Sequence, residues 1–235
     1  MCGRFTLSRS GAEVAEHFAL ADVPVLRPRY NAAPGQELAV VRALPGEPGV
    51  RRLEWRRWGL VPHFAQRADA GPRPINVRVE TAVARPAFRE AMQRRRCLIP
   101  ADGFYEWGGS GRRRLPHWIA RADAALFAMA GIAERWSDGR GAVLDTCAVL
   151  TRDAEGPVRA LHDRMPVVLP PEDYATWLDP ACGAQAAATL AAEAAPPSWG
   201  VRRVGLRVND PRHDDPSCLE PPAEDDLPLF SARER

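Results

Sequence analysis

Lysine is absent. All 32 basic side chains in the 235 residues are arginine, so no side chain offers a primary amine. The α-amine of the chain terminus is then the one group able to form an ordinary imine with an aldehyde, and its reference pKa of about 7.7–8.0 leaves a useful neutral fraction near pH 7. Cysteine is scarce and scattered, at positions 2, 97, 147, 182 and 218. An odd set without a Cys-x-x-Cys pair argues against a disulfide framework and against a zinc knuckle. No apolar run approaches the length of a membrane span. Arg4, Arg9, Glu13 and Glu16 break any secretory-type stretch at the start. These absences together lead us to expect a soluble, cytoplasmic protein.

What is present begins at the terminus, Met1-Cys2-Gly3-Arg4-Phe5. The small Cys2 permits trimming of Met1, which would leave an amine and a thiol on adjacent carbons. A thiol is a strong nucleophile even at a few per cent thiolate, and it could close a neighbouring imine into a five-membered thiazolidine. Net charge is only +2 but uneven. Residues 209–235 carry eight acids against three arginines, −5, which leaves +7 for residues 1–208. A guanidinium-rich body suits phosphate contact, although arginine- and alanine-rich composition is also what a GC-rich genome produces.

Apolar patterning predicts strands over Glu37–Leu44, Val50–Trp58, Pro116–Arg121, Ala124–Ile132, Ala142–Thr151 and Trp199–Val208. Helices are expected over Gly11–Leu20, Thr81–Arg96 despite Pro86, Pro171–Leu178 and Gly183–Ala195. Strands outnumber helices, which are interspersed rather than alternating with them. The fold class is therefore α+β with mainly antiparallel strands. One domain over 1–208 should be followed by a poorly ordered, acidic, proline-rich tail over 209–235.

Four polar segments lie among apolar ones. Arg29–Gly35 reads as a loop tied by Tyr30 or Asn31. Ile75–Thr81 alternates, which would put Asn76, Arg78 and Glu80 on one strand face, usually a solvated one. In Pro100–Trp107 alternation turns Phe104 and Glu106 to one side and Tyr105 and Trp107 to the other. Apolar surroundings would raise the carboxyl pKa of Glu106 toward neutrality, unless this is an edge-strand glutamate facing water. His162, in Ala160–Pro166, is the best-placed histidine for acid–base work. His17, His63, His117 and His213 read as ordinary helix, loop or tail residues, and His213-Asp214-Asp215 makes only a weak metal motif.

Six segments in order resemble the motifs of the SRAP (SOS-response-associated peptidase) family: Met1–Phe5, Arg29–Pro34, Trp58–Pro62, Asn76–Thr81, Gly103–Trp107 and Leu161–Pro166. No one of them is decisive; the ordered set is highly specific, and it covers residues 1 to about 210. The resemblance implies a barrel-like SRAP fold and a monomer that captures abasic sites in single-stranded DNA during the damage response, associating with the nucleoid. Cys2, after release of Met1, would become a thiazolidine on the lesion's sugar. Asn76 would hydrogen-bond that sugar, Glu106 would assist imine formation, and His162 would handle protons in ring opening and reversal. Gly3, Arg4, Phe64, Arg78 and Thr151 are the implied DNA contacts, with no metal or organic cofactor. The peptidase label would describe removal of Met1 or of a longer leader. The chain departs from the pattern in three places: Phe64 stands as a lone aromatic where relatives can carry a tryptophan pair, Val77 and Val79 replace smaller residues, and Pro86 stands where some relatives are polar or basic. Two rivals remain at this stage, an N-terminal-cysteine amidotransferase and a non-catalytic single-strand binder.

Overall fold

The longest strands are apolar on both faces because each face packs against a different layer. The computed structural model of the chain describes residues 2–44, 46–47, 49–109 and 114–223. Its strands are β1 (Phe5–Leu7), β2 (Arg29–Ala32), β3 (Glu37–Ala43), β4 (Arg51–Trp58), β5 (Asn76–Arg78), β6 (Arg96–Ala101), β7 (Gly103–Gly108), β8 (Leu115–Arg121), β9 (Phe127–Ser137), β10 (Val143–Asp153), β11 (Arg164–Pro166), β12 (Val168–Leu169) and β13 (Trp199–Arg203). The helices are α1 (Gly11–Phe18), α2 (Val79–Ala82), α3 (Pro86–Arg94), α4 (Tyr174–Leu178) and α5 (Ala184–Glu193), with single 3-10 turns between and after them.

Pairing runs β10–β4–β3–β6–β9 and returns from β9 to β10, closing a barrel-like ring. A second sheet of order β13-β8-β7-β1-β2 lies over it. Pairing is antiparallel except where β10 meets β4 and β5, so the expected α+β, mainly antiparallel class holds. Alternation divides the core. Leu38, Val40, Cys97, Ile99, Met129, Cys147 and Val149 join Cys2, Phe5 and Phe104 in one cluster. Their neighbours Ala39, Val41, Leu98, Ala130, Ala148 and Leu150 turn instead to the helices. Gly131 occupies an inward position of β9, where a Cβ would lie 2.8 Å from Ile99 Cδ1. A side chain there would displace those of Ile99 and Cys97 from the packed interior.

Local chemistry sets the helix limits. Ser10 and Glu13 form a reciprocal capping box at the start of α1, which ends on Ala19 in the left-handed region. The helix expected over Thr81–Arg96 is two helices, because Pro86 takes the first-turn position of α3 and Arg85 before it is extended. The alternating run 75–81 is also broken. Only Asn76–Arg78 is strand, and Glu80 sits in α2. The strand expected over Trp199–Val208 stops at Arg203 and gives way to a 3-10 turn, Leu206–Asn209.

Residues 209–223 are not the loose tail expected from their composition. Asp214 accepts hydrogen bonds from Tyr30 N (2.6 Å) and Asn31 N (2.7 Å) and pairs with Arg29, while Cys218 is fully buried. A carboxylate taking two backbone N–H groups and a guanidinium is what an acidic composition count cannot reveal. The remainder of the expected tail, 224–235, lies outside the described residues.

Arg96 joins the helical layer to the barrel. Its buried guanidinium donates to the carbonyls of Trp177 (2.5 Å), Gln93 (3.3 Å) and Cys182 (2.9 Å), and also to those of Met92 and Asp179. It thereby satisfies the exposed ends of α3 and α4. Arg96→Met should cost about 3 kcal/mol, because several buried carbonyls lose their donor together. Thermal unfolding should register this as a fall of about 6–12 °C in Tm.

Candidate active site

The terminal segment is held in place by β1, which lies between β2 and β7. Phe5 faces Ala32 on one side and Phe104 on the other, and Tyr105 N donates to Arg4 O at 3.0 Å. Cys2 is thereby delivered to the inward face of β7, the face that carries Phe104 and Glu106. Tyr105 and Trp107 turn outward to pack with Val204, Val208 and Cys218, as alternation predicts. Glu106 is 3% exposed and faces the interior rather than water.

Burial sets the chemistry of both groups. It pushes the Glu106 carboxyl up to about 7. It also pushes the Cys2 thiol well above its ordinary range, and the nearby Glu106 charge adds to that. The thiol is thus held protonated beside a carboxyl able to give or take a proton near neutrality.

Asn76 comes from β5, which pairs in parallel with β10, with Val149 opposite Asn76 and Thr151 opposite Arg78. Its Nδ2 donates to Cys2 O at 2.8 Å. Its buried Oδ1 has no hydrogen-bond partner among the described residues. An acceptor fixed there can receive a donor from whatever occupies the space beside Cys2. Arg78, two residues on, is exposed.

His162 follows the 3-10 turn Gly156–Ala160. The loop closes over the end of β7 because Gly108 has no side chain: a Cβ would lie 2.5 Å from Leu161 Cδ2. Arg164 N donates to His162 Nδ1 at 2.9 Å, and Asp163 Oδ1 lies 2.6 Å from the same nitrogen. The first contact needs a lone pair on Nδ1 and the second needs a proton, so the two select opposite states of the ring. Burial, foremost, holds the imidazole below its ordinary pKa, with Asp163 opposing. Arg164 then stitches this loop to α2. Its Nη1 and Nη2 each reach a Glu80 oxygen at 2.8 Å, and Nη2 also donates to Thr151 O at 2.6 Å. Sequence patterning missed this fork, since it placed Glu80 on a strand.

Glu106 and His162 share an open depression of about 480 Å³ with Arg4, Trp107, Arg114 and Asn209. Cys2 lies beside it, fully buried. Cys2, Asn76, Glu106 and His162, which the sequence singled out, are therefore brought together. The other candidates fare differently. Arg4 is half-buried and donates to Asn31 Oδ1 (2.9 Å), Val208 O (2.6 Å) and Asn209 O (3.4 Å). These bonds fasten the C-terminal segment, together with those of the anticipated loop-tying Asn31. Thr151 is fully buried, with Oγ1 3.5 Å from Val77 O. Gly3 is half-buried beside these residues. Phe64 is 58% exposed on a loop away from this depression.

Asn209 was not among the sequence candidates. Its Oδ1 accepts from Trp107 Nε1 at 2.7 Å, a contact across 102 positions that no local pattern signals. Among the described residues no His, Cys, Asp and Glu group is arranged to hold a metal ion, and no helix is long and apolar enough to cross a membrane.

Comparison with known proteins places this geometry in context. The profile of SOS response associated peptidase (SRAP) matches residues 1–211. The chain is 38% identical over 184 residues to the Bacillus subtilis protein named Abasic site processing protein YoaM, covering 77% of this chain and 80% of that one. It is 32% identical over 236 residues to Abasic site processing protein YedK of Escherichia coli, covering 94% and 100%. A crystal structure of a Bacteroides thetaiotaomicron protein superposes with a TM-score of 0.82 at 22% identity, covering 94% of this chain and all of that one, which bears on the fold alone.

Proposed function

The chain belongs to the SOS response associated peptidase family, and on that premise we propose that it processes abasic sites in DNA, capturing them in single strands through Cys2. One observation carries the reading: a lysine-free chain buries its terminal cysteine, held by the Asn76 amide, beside a depression lined by an acid–base carboxyl and a histidine. The relatives named for abasic-site processing support the substrate class.

Once Met1 is released, the freed α-amine attacks the C1′ aldehyde of the ring-opened sugar and gives a carbinolamine. Glu106, neutral about half the time near pH 7, donates a proton to the departing hydroxyl, and water leaves an imine. The thiol then adds to the imine carbon while its proton passes to nitrogen. The sum is aldehyde plus aminothiol giving thiazolidine plus water, with no oxidant or reductant. Asn76 holds the Cys2 carbonyl and offers Oδ1 to the sugar or the amine. His162 moves protons for sugar opening and for reversal. No step calls on a metal or organic cofactor. The peptidase part of the family's description we read as the freeing of Cys2.

Intact-protein mass after incubation with an abasic single-stranded oligonucleotide tests this directly. The expected product is protein plus oligonucleotide minus one water; unchanged protein mass would refute capture. Arg78, exposed beside Asn76, supplies phosphate contact in this reading. Arg78→Ala should weaken non-covalent binding and lower the magnitude of the log affinity versus log salt slope by about 0.7, with capture by the bound complex kept. A salt slope identical to wild type would remove Arg78 from the interface.

A further inference from the structure

His63, an ordinary loop residue by sequence, lies between two carboxylates. Its Nδ1 is 2.7 Å from Glu134 Oε2 and its Nε2 is 3.0 Å from Glu90 Oε2, while its backbone N–H donates to Glu134 Oε2 at 3.1 Å. Arg95 closes the circuit, with Nη1 2.9 Å from Glu90 Oε1 and Nε 2.5 Å from Glu134 Oε1. Glu134, on β9, is almost fully buried; Glu90, on α3, is partly exposed. Arg94, also on α3, adds positive charge near Glu90. A neutral imidazole has one N–H and one lone pair, and a lone pair set against a carboxylate oxygen repels it. Only the doubly protonated ring satisfies both contacts.

That ring is the seat of the next residue. Phe64 meets the His63 imidazole edge-on, with centroids 5.3 Å apart and planes at 86°. Trp136 Nε1 anchors the far side of the loop through Ala65 O at 2.6 Å. The exposed phenyl ring is therefore carried on a short segment pinned at both ends, one pin depending on a proton.

We propose that His63 is a positioning residue: its second proton docks the loop on α3 and β9 so that Phe64 is presented for stacking against a base of single-stranded DNA. Affinity for a single strand should then be higher in mildly acidic than in mildly alkaline solution. This rests on the reading that the protein binds single strands and that Phe64 touches them.

The test uses a single-stranded oligonucleotide carrying a tetrahydrofuran abasic analogue, which has no aldehyde and cannot be captured covalently. Binding is followed by fluorescence anisotropy at about pH 6 and about pH 8.5 and constant ionic strength, across the range where imidazole titrates. Wild type should lose about three- to ten-fold in affinity between the two, a part of one base-stacking interaction. His63→Gln, which cannot titrate, should flatten the profile. Phe64→Ala should bind about five-fold or more weakly at pH 6 and lose the pH dependence too, because His63 acts through it. If His63→Gln unfolds, Glu90→Gln on the helix surface gives the same decision by shrinking the pH response. A full wild-type pH response in whichever of these variants is folded would overturn the proposal. Wild-type affinity in Phe64→Ala would instead remove Phe64 from the interface, a separate failure.

Discussion

Abasic-strand capture should leave its mass on the peptide that begins at Cys2 and on no other peptide. In most proteins such mapping competes with imines formed by exposed lysines; here there are none. Cys2→Ser should still form an imine that borohydride traps, while the stable adduct falls to background, because the oxygen analogue of the ring hydrolyses more readily. Retaining Met1 should abolish the thiazolidine, since amine and thiol then no longer sit on adjacent carbons. Acetylating the mature terminus should abolish imine and ring alike. An adduct on an internal residue, or a full yield of thiazolidine with Met1 in place, would refute the mechanism. The amidotransferase rival makes an opposite forecast, glutamine hydrolysis that depends on Cys2, and the same protein preparations decide it.

Glu106 should show opposite effects on activity and stability. Burial raises its carboxyl from an ordinary 4.5 to about 7, so the folded protein holds this proton more tightly than the unfolded chain does. Stability therefore falls as pH rises from about 4.5 to about 7 and is flat above, where both states are ionised. The shift of about 2.5 units corresponds to about 3 kcal/mol of destabilisation at pH 8. Glu106→Gln should accordingly raise Tm at pH 8 by about 6–12 °C, with the gain shrinking toward pH 4. The same variant should lose on the order of a hundred-fold in capture rate, along with the inflection near pH 7 in the rate profile. A Tm gain independent of pH would show that the carboxyl is not held by burial in the way described.

Much of this was legible in the chain. Alternation in Phe104–Trp107 assigned each side chain to its correct face, because a strand's period of two leaves no other choice. Apolar runs marked β3, β4, β9 and β10, whereas β6 was not anticipated. Cys2, Asn76, Glu106 and His162, singled out in the sequence, lie near one another through pairings far apart in the chain, such as β1 with β7. Other features were hidden for identifiable reasons. Glu80 looked like a strand residue because four residues of helix are too short to show a period, and its true partner, Arg164, is 84 positions away. The bonds from Arg4 to Val208 and Asn209 were not visible because they join the two ends of the chain, and Asn209 opens a segment whose acidity suggested disorder. His63 looked unremarkable because Glu90, Arg95 and Glu134 become its neighbours only after α3 lies against β9.

The bond between Arg4 and Val208 spans 204 positions, and this has a consequence for the order of events during synthesis. Residue 2 is made long before β7 and β10, which supply Phe104, Cys147 and Val149 of the cluster around it, and before Val208, which fastens Arg4 two residues on. At about 5–20 residues per second, the terminus of a nascent chain stays accessible for some ten seconds or more before its walls exist. The proposed freeing of Cys2 is therefore easiest on the open chain, before the fold closes over that residue.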